Sequence, residues 1–89
     1  MANHTWNENY GHVARLYPEP NKVYFTLKDG KTAMNPTGGY YFVPKSHPNY
    51  GAMVTLLYMA ADSRYVIHAR TKENLVNGYA QVLYLVVNW

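Results

Sequence analysis

Catalysis by side chains needs grouped, polarised residues, and this chain supplies few candidates. Its acidic residues are Glu8, Glu19, Asp29, Asp62 and Glu73. None pairs with another on one strand face, as a two-carboxylate hydrolase requires. The histidines are His4, His12, His47 and His68. They are widely spaced and form neither an HxH nor an HExxH pattern, so a histidine metal centre is not expected. Cysteine is absent, which excludes disulfides, a thiolate zinc site and a cysteine nucleophile. Asn35-Pro36-Thr37-Gly38-Gly39 lacks the GxxxxGK[ST] pattern and reads as a loop. The expectation is therefore a non-enzymatic chain with no catalytic residue, no metal and no cofactor.

Its aromatic residues point to binding. Ten tyrosines, two tryptophans and two phenylalanines stand among 89 residues. A tyrosine ring stacks on the apolar face of a sugar or on an unpaired base while its hydroxyl hydrogen-bonds. Tyrosine also enriches protein interfaces. Eight Lys and Arg against five Asp and Glu give a net charge of +3. The basic residues are scattered and do not form the stripe of a dedicated nucleic-acid binder. Three partner classes stay open on these residues: a glycan, other protein copies without a sugar ligand, and single-stranded nucleic acid. The expected ligand-binding residues are Trp6, Tyr10, His12, Lys22, Tyr24 and His68.

The elements that must position these residues are legible from periodicity. Residues 1–10 read as a polar arm and 11–89 as one domain. His12 to Tyr17 is strand-like and ends at Pro18-Glu19-Pro20-Asn21, where two prolines suit a turn. In Lys22 to Lys28, Val23, Phe25 and Leu27 alternate with Lys22, Tyr24, Thr26 and Lys28, the period of a half-buried strand. Asp29-Gly30 is a favoured turn pair. A third strand covers Tyr40 to Val43. Ser46 or His47 then caps a helix from about Pro48 to Ala61, with Met53, Leu56, Leu57 and Ala60 as its core stripe. Its other side carries Tyr50, Val54 and Tyr58, so a second covering surface is expected. Arg64 to Arg70 is a fourth strand and Tyr79 to Trp89 a fifth.

That last strand is apolar on both faces, with Leu83, Leu85 and Val87 opposite Ala80, Val82, Tyr84 and Val86. Two apolar faces imply two coverings. Tyr50, Val54, Tyr58, Leu83, Leu85 and Val87 are accordingly the expected oligomer interface. A domain this small gains stability from self-association, since it buries only roughly 60–65% of its extended surface. The order β-β-β-α-β-β predicts a mainly β fold, a five-stranded barrel of the oligomer-binding (OB) type with its helix between strands 3 and 4. Residues 1–10 contain no signal-peptide pattern, and no stretch approaches the roughly 20 apolar residues of a membrane helix.

Three stretches then resemble the receptor-binding B subunits of pentameric AB5 bacterial toxins, in the subtilase cytotoxin and pertussis-like branch. They are Tyr10-Gly11-His12-Val13, Asn21-Lys22-Val23-Tyr24-Phe25, and the passage from Tyr50 through Leu57-Tyr58 and Ala61 to Tyr65-Val66-Ile67. The resemblance implies a homopentameric ring, a helix lining its pore, a glycan site on the outer wall and a catalytic A subunit as partner. It implies secretion for a mature B-subunit-like chain; otherwise the chain is expected in the cytoplasm. Departures accompany it. The branch normally carries disulfides and this chain has none. The family's glycan-contacting serine aligns with Tyr10, and a tyrosine after the helix aligns with Ala69, beside His68.

Overall fold

Alternation in Lys22 to Lys28 has the expected consequence: Val23 and Phe25 point into the core, almost fully buried, while Tyr24 stays outside. The computed structural model describes residues 6–88; His4 and Trp89, named above, lie outside the described residues. Its elements are β1 (Trp6–Glu19), β2 (Lys22–Lys31), β3 (Tyr41–Pro44), α1 (Tyr50–Ser63), β4 (Ile67–Lys72) and β5 (Ala80–Val87). The sheet closes on itself in the order β1-β2-β3-β5-β4, with β4 returning to β1. All neighbours are antiparallel except β3 and β5, which run parallel over a short contact.

The interior is filled from every element. Phe25 stacks on Tyr41 at 5.5 Å, and Met53, Leu57 and Ala60 of α1 join Val43, Ile67, Ala69 and Val82 in one buried cluster. Helix α1 begins two residues later than its sequence suggests, with Asn49 in the N-cap position. Pro48 stays in the preceding turn. His47 organises this turn: its Nδ1 accepts the Asn49 N–H at 3.0 Å, so Nε2 carries the proton it gives to the Leu83 carbonyl at 2.7 Å.

Four expectations are corrected. Trp6 to Tyr10 are not an arm but the first third of β1, paired with β4 from Trp6↔Lys72 to Tyr10↔His68. Its inward residues are polar, which hides the strand from a hydrophobic pattern. Asn9 is fully buried. Its Nδ2 donates to the Ala69 carbonyl (3.1 Å) and Thr71 Oγ1 (3.2 Å), while its Oδ1 accepts from the Ala33 N–H (2.8 Å) and the Tyr41 hydroxyl (3.2 Å). Burial pushes the Tyr41 phenol up from its ordinary value, and a hydrogen bond with Thr32 opposes this.

Asp29-Gly30 is not a turn between strands but a β-bulge inside β2, opposite Gly11. Asp29 adopts φ 56°. A Cβ on Gly30 would lie 2.0 Å from the Tyr10 carbonyl oxygen, so only glycine permits this approach. The fourth strand begins at Ile67 rather than Arg64, because Arg64 ends the helix in the left-handed conformation.

The fourth correction explains the doubly apolar β5. Arg70 faces Tyr84, yet Thr71 faces Val82, so Leu83 is an extra residue in the ladder. Faces switch there. Val82 points inward before the bulge, and Leu85 and Val87 pack against the core after it. The bulge thus turns apolar residues from both sequence faces of β5 toward the same core. Tyr50 and Val54 also pack on this core, and Leu83 is half-buried at the bulge. Of the expected interface residues, only Tyr58 is exposed, beside the exposed Met59.

Candidate functional site

Pleating sends alternate residues outward, and register decides which of them meet. The two-residue turn at Pro20-Asn21 fixes β1 against β2 so that Tyr17 pairs with Tyr24; β3 then places Phe42 beside Tyr24. The result is one aromatic row across three strands. Tyr17 stacks on Tyr24 at 5.9 Å, and Phe42 lies 6.1 Å from it, tilted. Tyr40, just before β3, and Tyr79, just before β5, meet Tyr24 edge-on at 5.7 and 5.4 Å. Lys22 holds its ammonium 5.5 Å from the Tyr24 centroid and 5.6 Å from that of Phe42. Arg15 Nη1 donates to the Tyr40 hydroxyl at 2.8 Å.

Tyr17, Tyr24, Tyr40 and Tyr79 enclose a cleft of about 140 Å³ with Glu19 in its wall. It offers ring faces and edges, phenol hydroxyls and one carboxylate. Such a surface can stack on a flat or apolar face and hydrogen-bond at its rim.

A second row crosses the opposite seam. Glu8, Arg70 and Tyr84 are register partners on β1, β4 and β5. Arg70 Nε donates to Glu8 Oε1 at 2.8 Å and its Nη1 to the Tyr84 hydroxyl at 2.8 Å. His68 Nδ1 meets Glu8 Oε2 at 3.0 Å. The guanidinium also lies 5.7 Å from the Trp6 ring and 5.2 Å from that of Tyr84. Trp6 and Tyr84 touch edge-on at 6.1 Å, and Tyr10 lies 5.5 Å from His68. Desolvation alone would raise the Glu8 carboxyl, but hydrogen bonds and charge from Arg70 and His68 outweigh it and hold it below its ordinary value. Hydrogen bonds with Tyr84 and then Glu8 push the Arg70 guanidinium up. Trp6, Asn7, Glu8, Arg70 and Glu73 border an open cleft of about 530 Å³.

The six expected ligand residues therefore separate. Lys22 and Tyr24 share the aromatic cleft region. Trp6, Tyr10 and His68 surround the Glu8–Arg70 row. His12 lies elsewhere, at the C-terminal end of α1. Sequence reading missed Tyr79 and Glu19 as cleft residues, and Glu8, Arg70 and Tyr84 as a network. The short turn at Pro20-Asn21 carried a usable signal for Tyr17 opposite Tyr24; nothing in the spacing placed Tyr79 there.

Among the described residues no group of three or more His, Asp or Glu could hold a metal ion. Among the described residues no helix is long and apolar enough to cross a membrane. Comparison of the chain with protein-family models, characterised proteins and solved structures gave no match.

Proposed function

We propose that this chain is a non-catalytic carbohydrate-binding module of the OB type, with its site in the Tyr24 cleft. The strand order β1-β2-β3-β5-β4, closed by β1 with β4, and a helix between β3 and β4 support that fold. OB folds bind oligosaccharides and oligonucleotides on the face of strands 2 and 3, between the loops joining strands 1–2 and 4–5. The cleft has this placement: Tyr24 is on β2, Glu19 ends β1, and Tyr79 ends the β4–β5 connection.

The carrying observation is Tyr24 itself, an outward ring held by Tyr17, Tyr40 and Tyr79 above a cleft with a carboxylate wall. Glu19 accepts sugar hydroxyls but repels a phosphate backbone. The nearest cations, Lys22 and Arg15, are engaged with rings and a phenol. These features favour a sugar over single-stranded nucleic acid. Glycan-array screening, followed by titration of the hits, tests the reading. Binding lost in Tyr24→Ala with the fold retained supports it. Absence of binding across a broad array, or salt-dependent binding to oligonucleotides instead, overturns it.

The B-subunit resemblance adds self-assembly into a ring and a catalytic partner chain. Tyr58 and Met59, exposed on a helix whose one charged residue is Asp62, favour association of copies even without a sugar ligand. Size-exclusion chromatography with light scattering distinguishes a pentamer from a monomer.

A further inference from the structure

A third outward region has the ingredients of a separate ligand site. A cavity of about 270 Å³ lies where the C-terminal end of α1 meets β1 and the β2 bulge, lined by His12, Val13, Lys28, Asp29, Ala61 and Arg64. Its volume is near the lower end of small-molecule pockets, which start at about 300 Å³. It shares no residue with the Tyr24 cleft.

Charge is the first observation. Lys28 and Arg64 both border the cavity. Among the described residues, neither side chain has a hydrogen bond or an ion pair, and nor does that of Asp29. Arg15, Arg70 and Lys22 are engaged by rings, phenols or carboxylates, whereas Lys31, Lys45 and Lys72 share the unpaired state of Lys28 and Arg64; what sets the latter two apart is the cavity they border together. His12, the register partner of Lys28, buries an Nδ1 atom that finds no hydrogen-bond partner.

Backbone geometry is the second. Asp29 at φ 56° and Arg64 at φ 59° are two of the three non-glycine residues with positive φ among the described residues. At Arg64 this conformation ends the helix, with the Tyr65 N–H bonding the Ala60 carbonyl at 3.1 Å. Glycine is the residue that meets this requirement without strain. Closing the helix explains the conformation but not the arginine. The bulge requires Gly30, and it sets Lys28 and Asp29 at the cavity. Bulges recur beside functional sites because they re-aim side chains, and strained residues cluster there too.

We infer that this cavity binds a small hydroxylated molecule carrying one phosphate group. Lys28 and Arg64 take the oxyanion, and the Asp29 carboxylate accepts hydroxyl protons. The oxyanion offsets the two cations that border one cavity beside the buried Nδ1 of His12. The carboxylate and the negative end of the helix dipole disfavour a polyanion, so the site selects one anionic group on a polar body.

Glucose 6-phosphate, inorganic phosphate and glucose serve as probes in an NMR titration of the full chain, followed through backbone amide shifts. Saturable shifts at His12, Lys28, Asp29 and Arg64 are expected with glucose 6-phosphate, weaker ones with inorganic phosphate, and none with glucose. Arg64→Gly should weaken binding at least tenfold while melting at the same temperature or a few degrees higher, since it removes the charge and relieves the backbone. Arg64→Asn, which also tolerates this conformation, and Lys28→Ala should weaken it similarly. Tyr24→Ala should leave it intact, which separates this site from the proposed sugar cleft. No saturable shift with either phosphate probe, or unchanged affinity in Arg64→Gly and Arg64→Asn, overturns the inference.

Discussion

Two three-residue rows cross the outside of this sheet, Tyr17–Tyr24–Phe42 over β1-β2-β3 and Glu8–Arg70–Tyr84 over β1-β4-β5. Pleating generates both in the same way, and chemistry separates them. In the second row each polar group answers another: carboxylate, guanidinium, imidazole and phenol form a closed set of bonds. A ligand there must displace hydrogen bonds already made. In the first row, rings brace rings around a cleft and leave hydroxyls and Glu19 at its rim. The first row suits recognition. The second fastens the seam between β1 and its neighbours.

The largest expected effect tests that seam from beneath. Asn9 lies between Glu8 and Tyr10 on β1, with its side chain inside. Asn9→Ala leaves the part-buried Ala33 N–H without its partner and takes one hydrogen bond each from the Tyr41 hydroxyl, which keeps Thr32, and Thr71, which keeps Met34; a buried group left unsatisfied costs about 1–3 kcal/mol. Stability should fall by roughly 2–4 kcal/mol in denaturant titration. Hydrogen exchange should show β1–β4 amides losing more protection than those of β2–β3. Equal losses would mean that the seam is no weaker than the rest of the sheet.

Next comes the aromatic row. Tyr24→Ala should lower sugar affinity by about 5- to 150-fold, the range of roughly 1–3 kcal/mol for one stacked ring. Arg70→Ala should leave that affinity unchanged. Isothermal titration with the best array ligand measures both. A loss with Arg70→Ala and none with Tyr24→Ala would reverse the assignment of the two rows.

A pH experiment addresses the ionic row alone. Because the folded-state pKa of Glu8 is lowered, its contribution to stability is present above the unfolded value and is lost as pH falls through the folded one. The stability difference between the chain and Glu8→Gln should be constant above about pH 5–6 and shrink below about pH 4. Added salt should reduce it, as the Glu8 side chain is 43% exposed. A difference independent of pH would show that the network contributes through shape rather than charge.

These contrasts also show what was legible in the residues. The alternation of β2 was readable because Val23 and Phe25 are apolar and Tyr24 is not a core residue. The α1 stripe was readable through Met53, Leu57 and Ala60. The start of β1 was obscured because its buried positions hold Asn9 and Gly11, so the strand lacks an apolar period. The faces of β5 were misjudged because a bulge at Leu83 depends on a partner far away: the bulged carbonyl takes its hydrogen bond from His47. Both misreadings arise where polar groups and long-range bonds, not hydrophobic spacing, decide the conformation. The split of Trp6, Tyr10 and His68 from Lys22 and Tyr24 has the same origin, since only register sorts outward residues into rows.

The smallest effect concerns Lys22. Its ammonium approaches both Tyr24 and Phe42, and such contacts at exposed sites are worth about 0.5–1 kcal/mol. Two roles are open to it. As a brace, it holds the Tyr24 ring by attraction to its π face; as a ligand contact, it meets an acidic group on the sugar. Lys22→Met keeps much of the stem and removes the charge. The brace role predicts a two- to fivefold loss of affinity, roughly 0.5–1 kcal/mol, equal for neutral and acidic sugars, and no further loss when combined with Tyr24→Ala. The contact role predicts a loss confined to acidic sugars and weakened by salt. The geometry favours the brace, because the ammonium already lies against two rings and Glu19, the carboxylate of the cleft wall, would repel an acidic ligand.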